Sequence, residues 1–299
     1  MADHLTKHAT ILPHQLFGVK EHPTQDSSTE SVLPIQVKPS PKLAKTASPL
    51  QESTSHFDRF YMINQAGQGV FTVKGIRYLP PCVLKQCSGT KIADHQSLKP
   101  ARHKNIISLL EYANIENEQY LVYKYEHVAL SLGCVVGRTH FSEADIATVC
   151  REVLQGLQYI HSELKISHGS IHVSNILLTS TGGVKIANIG DSMLEKRTLR
   201  DRDQDLKAVG SMIINLHDPT TLVAEDMEDD TEDDTISEST LSDCAIEFIE
   251  STNKNTITQL LKDDFMLLAT PDEAWSLQPH YFAALPFGLQ IGRRFQRGG

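Results

Sequence analysis

The stretch His168-Gly169-Ser170-Ile171-His172-Val173-Ser174-Asn175-Ile176-Leu177-Leu178, followed at residues 184–190 by Val-Lys-Ile-Ala-Asn-Ile-Gly, decides how this chain is read. Residues 174–188 read as a hairpin with Gly182-Gly183 at its tip. Spacing disposes of two other chemistries. Ser170 sits in His-Gly-Ser, not in the G-x-S-x-G turn that exposes a nucleophilic serine. His161, His168 and His172 have no acidic or cysteine partner at a metal-ligand spacing.

Upstream lies the clearest helix, residues 142–164. Ser142 and Asp145 form a capping-type start. Ile146, Val149, Val153, Leu157, Ile160 and Leu164 recur at spacings of three and four, one apolar stripe turned to a core. Earlier still, residues 57–73 and 81–86 read as β-rich segments around glycine turns. Residues 103–128 read as two strands joined at Glu116 to Glu118, with a hinge near Lys124 to Glu126. Downstream come an apolar helix at residues 205–218 and a further helical stretch at residues 242–267. Strands first and helices later predict an α+β chain in two parts.

The flanks differ in texture. Residues 1–56 are rich in Ser, Thr, Pro and Lys and read as a flexible tail. Eight of the ten residues from Glu225 to Asp234 are acidic, so 225–240 reads as a solvated loop. Residues 271–299 read as a C-terminal tail. The 299-residue chain is 40% hydrophobic and 22% charged, ordinary for a globular protein. Its net charge of −9 argues against general nucleic-acid binding, which needs a basic footprint. Five scattered cysteines form no CxxC pair, which predicts reduced thiols. No apolar run approaches a bilayer-spanning length, and the N-terminus lacks the apolar core of a secretory signal. The expectation is no membrane and a cytoplasmic or nuclear location.

With these elements in order, the sequence resembles the eukaryotic protein-kinase superfamily of serine/threonine type. His168-Gly169-Ser170-Ile171 through Asn175 resembles the catalytic-loop motif H-R-D-L-x-x-x-N, and Asn188-Ile189-Gly190 resembles D-F-G. The resemblance runs from about Phe57 to Leu268. It implies a two-lobed fold over 57–270, with a small β-rich N-lobe at about 57–124 and a mainly helical C-lobe at about 127–270. It also implies an ATP site built from Gly67, Gly69, Lys85 and Asn175, with Thr72 where a third glycine would stand. Lys85 remains open to a plainer reading as a surface strand lysine. Its usual acidic partner maps onto Asp94, a shorter side chain in a segment clipped by Pro100.

Phosphoryl transfer in this family is positioning and charge neutralisation by a lysine, magnesium and a catalytic aspartate. Ser170 replaces that aspartate and lacks its charge; general-base help is typically worth about 10²–10⁴-fold. Asn188 replaces the magnesium-binding aspartate, so Asn175 and Asn188 are at most weak metal ligands and magnesium use is in question. The degenerate positions His168, Ser170 and Asn188 imply no expected catalytic residue. Asp191 and Asp205 are the nearby acids, neither expected to act as base. Fourteen residues separate Gly190 from Asp205, too few for a full activation segment, and no A-P-E follows. Asn253-Lys254-Asn255-Thr256 carries no arginine where the family pairs one with that glutamate. His168, Ile189, Leu98 and Leu110 match the family's regulatory spine, and Asp205 its catalytic-loop anchor. The expectation is a pseudokinase that binds protein partners and, through Lys85, ATP. The alternatives are a weakly active non-standard kinase and a decaying or truncated kinase copy.

Overall fold

The computed structural model describes residues 49–53, 56–74, 80–87, 97–222, 241–271, 276–288 and 291–294. Residues 1–48, Asp94 and the acidic run at 225–240 lie outside the described residues.

The N-terminal half is a curled antiparallel sheet of β1 (Phe57–Asn64), β2 (Gln68–Lys74), β3 (Cys82–Gln86), β4 (Ala101–His103), β5 (Ile106–Ile115) and β6 (Glu118–Lys124). The lateral order is β1-β2-β3-β6-β5, with β4 paired on β5. The β5–β6 hairpin turns through Glu116 and Asn117, at φ 55° and 67°. Positive φ at both central positions is the turn whose twist matches its flanking strands. After the hinge come β7 (Leu130–Ser131), α1 (Leu132–Val135) and α2 (Glu143–Tyr159), then β8 (Ile176–Leu178) and β9 (Val184–Ile186). There follow α3 (Ile189–Leu194), α4 (Arg202–His217), α5 (Asp243–Ser251), α6 (Ile257–Leu260), α7 (Gln278–Gly288) and β10 (Ile291–Arg294). This is a two-lobed α+β fold of protein-kinase-like type.

The predicted local signals appear where expected. Ser142 Oγ accepts from the Asp145 amide, and Asp145 returns the bond to the Ser142 N–H, closing a capping box at α2. The whole α2 stripe is buried, through Ile160 and Leu164. Those last two lie in a π-helical turn, Ile160–Leu164, ended by Lys165 at φ 60°. That wider turn places His161 against Asp205.

Packing corrects one assignment. Leu98, Leu109, His168 and Ile189 are fully buried, whereas Leu110 packs on the separate cluster of Phe57, Val70, Cys82, Leu84, Ala113, Tyr120 and Val122. Successive strand residues face opposite sides of a sheet, so Leu109, not Leu110, faces the inner core with Ile189.

The flanks also hold more structure than their composition suggests. Leu50 is buried and its N–H donates to the Leu98 carbonyl, while Ser53 N–H donates to the Tyr112 carbonyl. The ordered chain continues beyond residue 270. In α7, Tyr281 is buried and its hydroxyl donates to the Val128 carbonyl. His280 stacks on Phe141 with ring centroids 4.2 Å apart. Beyond it, β10 pairs antiparallel with β1, Ile63 opposite Ile291. The sequence hid α7 because Tyr-Phe-Ala-Ala-Leu-Pro-Phe-Gly is apolar on every face and carries Pro286, so it shows no amphipathic period. Among the described residues no helix is long and apolar enough to cross a membrane.

Candidate functional site

The cleft between the lobes has a floor made by the loop after α2. Asp205, on the first turn of α4 and almost fully buried, accepts from the backbone N–H of His168 at 2.7 Å and of Gly169 at 2.6 Å. His161 Nε2 lies 2.8 Å from the same carboxylate. A carboxylate only accepts, so His161 carries its proton on Nε2. His168 Nε2 likewise donates to the Ala187 carbonyl at 2.8 Å. Burial holds the His168 imidazole below its ordinary pKa, keeping it neutral. Ser192 Oγ closes the layer by donating to the His168 carbonyl. Asp205 therefore anchors the loop from below, as the resemblance implied.

Gly169 adopts a left-handed backbone that favours glycine. Its φ is +72°, and a Cβ would fall 2.1 Å from Arg197 Nη1. The Arg197 guanidinium, held by Glu195 at 2.8 Å, thus fills the space beside the loop where a side chain at 169 would project. Sequence reasoning did not find this contact.

Above the floor the site is a web of amides. Lys85, on β3, is half-buried, not a surface lysine. Its Nζ donates to Gln65 O at 2.8 Å, Ala66 O at 2.6 Å and Asn188 Oδ1 at 2.5 Å. Burial pushes its pKa down to about 8, and the Asp191 carboxylate opposes that shift. Asn188 Nδ2 in turn donates to Asn175 Oδ1 at 3.0 Å and to Ala66 O at 2.9 Å. Asn175 Nδ2 donates to Ser170 O at 2.9 Å. Lys85, Asn175 and Asn188 are thus brought together as the sequence predicted, with the Ser170 backbone attached. The Ser170 side chain is exposed.

The glycine-rich motif falls differently. Asn64 pairs with Gln68 across a turn formed by Gln65, Ala66 and Gly67, the last two at positive φ. Only Gly67 lies in that turn; Gly69 and Thr72 are in β2. Thr72 is buried with its hydroxyl donating to Asp58 O, an ordinary strand residue rather than a lost phosphate glycine. Gly69 is needed for close approach: a Cβ there would lie 2.6 Å from Val83 Cγ1. The turn folds down on Lys85, and Gln65 Nε2 reaches the hinge, donating to the Glu126 carbonyl at 2.5 Å.

Two spaces remain. The inner end of the cleft, between Gln65, Val83, Ile107, Tyr123 and Leu177, holds only about 10 Å³. The outer space, about 390 Å³, is lined by Lys85, Ser170, Asn175, Asn188, Asp191 and Glu195, among others. Burial raises the Asp191 pKa, with Glu195 adding to the shift and Lys85 opposing it. Tyr123 closes the back wall; its hydroxyl accepts from the Gly190 N–H at 3.0 Å, a contact no sequence pattern announced. Among the described residues no cluster of His, Cys, Asp or Glu is arranged to hold a metal.

Fold and cleft together define a protein-kinase-like domain. The family described as "Protein kinase domain" matches residues 62–202. The serine/threonine-protein kinase pakA of Talaromyces marneffei is 32% identical over 158 residues, 47% of this chain and 24% of that protein. The kinase ste20 of Emericella nidulans is 32% identical over 158 residues, 47% of this chain and 18% of its own length. The kinase shk1/pak1 of Schizosaccharomyces pombe is 37% identical over 106 residues, 34% of this chain and 16% of its own. The matched part of this chain thus spans at most about a quarter of these curated relatives. Residues 62–202, a little under half of the chain, are similar to the eukaryotic protein kinase superfamily.

Proposed function

We propose that this chain is a catalytically impaired kinase domain that acts by binding a protein partner, built on a kinase-like unit running from about Leu50 to β10. The observation that carries this reading is the amide web. ATP transfer needs an ammonium free for phosphate and anionic oxygens free for magnesium. Here the Lys85 ammonium is satisfied by Asn188 and two turn carbonyls. The Asn175 and Asn188 amide oxygens already accept protons from Asn188 and Lys85. These residues do not fit a magnesium ion: a cation at either oxygen must break a bond the protein makes to itself, with no carboxylate charge to offset the loss. Ser170 adds no base. Five free cysteines suit a reducing compartment, cytoplasm or nucleus.

A second reading, a weakly active serine/threonine kinase, is favoured by the outer 390 Å³ space, where Asp191 and Glu195 bring carboxylates near Lys85. Transfer of label from γ-labelled ATP to generic protein acceptors separates the two. The binding reading expects incorporation equal to that of Lys85→Ala. Turnover that Lys85→Ala abolishes establishes the enzyme.

A further inference from the structure

The inner end of the cleft is filled by the protein rather than left as a vacant ring pocket. Its walls, Val83, Ile107, Leu177 and Ala187, are apolar, and its far end is the hinge backbone. Such a slot suits a flat heteroaromatic ring whose amine meets a hinge carbonyl, with phosphates extending toward Lys85. Yet the remaining volume, about 10 Å³, is roughly one water-sized probe. Gln65 takes the place of the ring. It is 7% exposed, follows directly on β1, and its side-chain amide donates to the Glu126 carbonyl. Its own backbone carbonyl and that of Ala66 accept from Lys85. One short turn therefore touches both ends of the cleft, the hinge by a side chain and the lysine by main chain.

From this geometry we propose that Gln65 is an internal latch which competes with nucleoside triphosphate for the cleft, and that removing its amide opens the site. The proposal rests on reading this space as a nucleotide cleft, but it does not depend on whether phosphate is then transferred. A ligand must break the Gln65–Glu126 hydrogen bond and lift the turn off Lys85 before it can seat. The apparent affinity is lowered by the fraction of molecules in the closed state. Gln65→Met keeps the length and bulk of the side chain and removes the donor. Losing one neutral hydrogen bond from the closed state corresponds to a roughly three- to tenfold gain in apparent affinity.

The test is nucleotide binding by the full chain, followed with a fluorescent ATP analogue and by thermal shift with ATP. It uses wild type, Gln65→Met, Gln65→Ala and the double variant Gln65→Met/Lys85→Ala. Cooperative unfolding of each variant checks that it folds. The expected result is weak binding by wild type, tighter binding by both single variants, and loss of the gain in the double variant. Wild-type affinity equal to that of two well-folded single variants overturns the latch, as does a gain that survives Lys85→Ala. Phosphotransfer is scored separately: turnover overturns the impaired-kinase reading while leaving the latch to stand or fall on binding alone.

Discussion

The floor of the cleft and its mouth are held together by different chemistry. In the floor, a buried Asp205 carboxylate holds two backbone N–H groups and an imidazole. In the mouth, the Asn175 and Asn188 amides bond to one another, to Lys85 and to the Ser170 backbone carbonyl, while the Ser170 side chain is exposed. A carboxylate organises the floor, whereas Lys85 and neutral side chains organise the mouth. Losing the Asp205 carboxylate would leave backbone N–H groups of the floor unsatisfied, whereas the polar groups of the mouth satisfy one another.

This contrast ranks the effects of substitution. Asp205→Ala strips the floor of its acceptor, leaving two buried backbone donors and His161 without a partner. It should cost about 3–5 kcal/mol in denaturant unfolding; a loss below about 1 kcal/mol would break the contrast. Tyr123→Phe removes the acceptor of the buried Gly190 N–H and should cost about 1–3 kcal/mol by the same measurement.

Lys85 gives a pH signature. Its folded pKa, about 8, lies below its ordinary 10.5, so between these values the unfolded chain binds the extra proton. The Lys85 contribution to stability therefore rises with pH across that window. Cys87, raised to about 11 from 9.0, slopes the other way and is common to both proteins when wild type is compared with Lys85→Met. The stability of wild type relative to that variant should climb from about pH 8 to about pH 10.5; a flat difference would place Lys85 in solvent. Smallest of all, Ser170→Ala should change stability by no more than about 0.5 kcal/mol, because the side chain is exposed. A larger loss would show that the mouth too is structurally committed.

Much of this was legible in the residues. The α2 stripe, its Ser142–Asp145 box and the Gly182 hairpin follow from periodicity and turn chemistry, and the convergence of Lys85, Asn175 and Asn188 from the family resemblance. What failed to show has physical causes. Strand facing at Leu109 and Leu110 turns on a one-residue register that two adjacent leucines cannot declare. Gly67 and Gly69 looked like one motif because sequence does not reveal where β2 begins. Gln65 and Arg197 act across 61 and 28 residues respectively, and no local pattern encodes a contact of that range.

The most direct test of the account is whether the mouth holds a divalent ion. Manganese added to the full chain, with and without ATP, can be followed by its paramagnetic resonance, which broadens when the ion is immobilised on protein. The account predicts a spectrum unchanged by wild-type protein. An immobilised signal that Asn188→Ala or Asn175→Ala removes would contradict it.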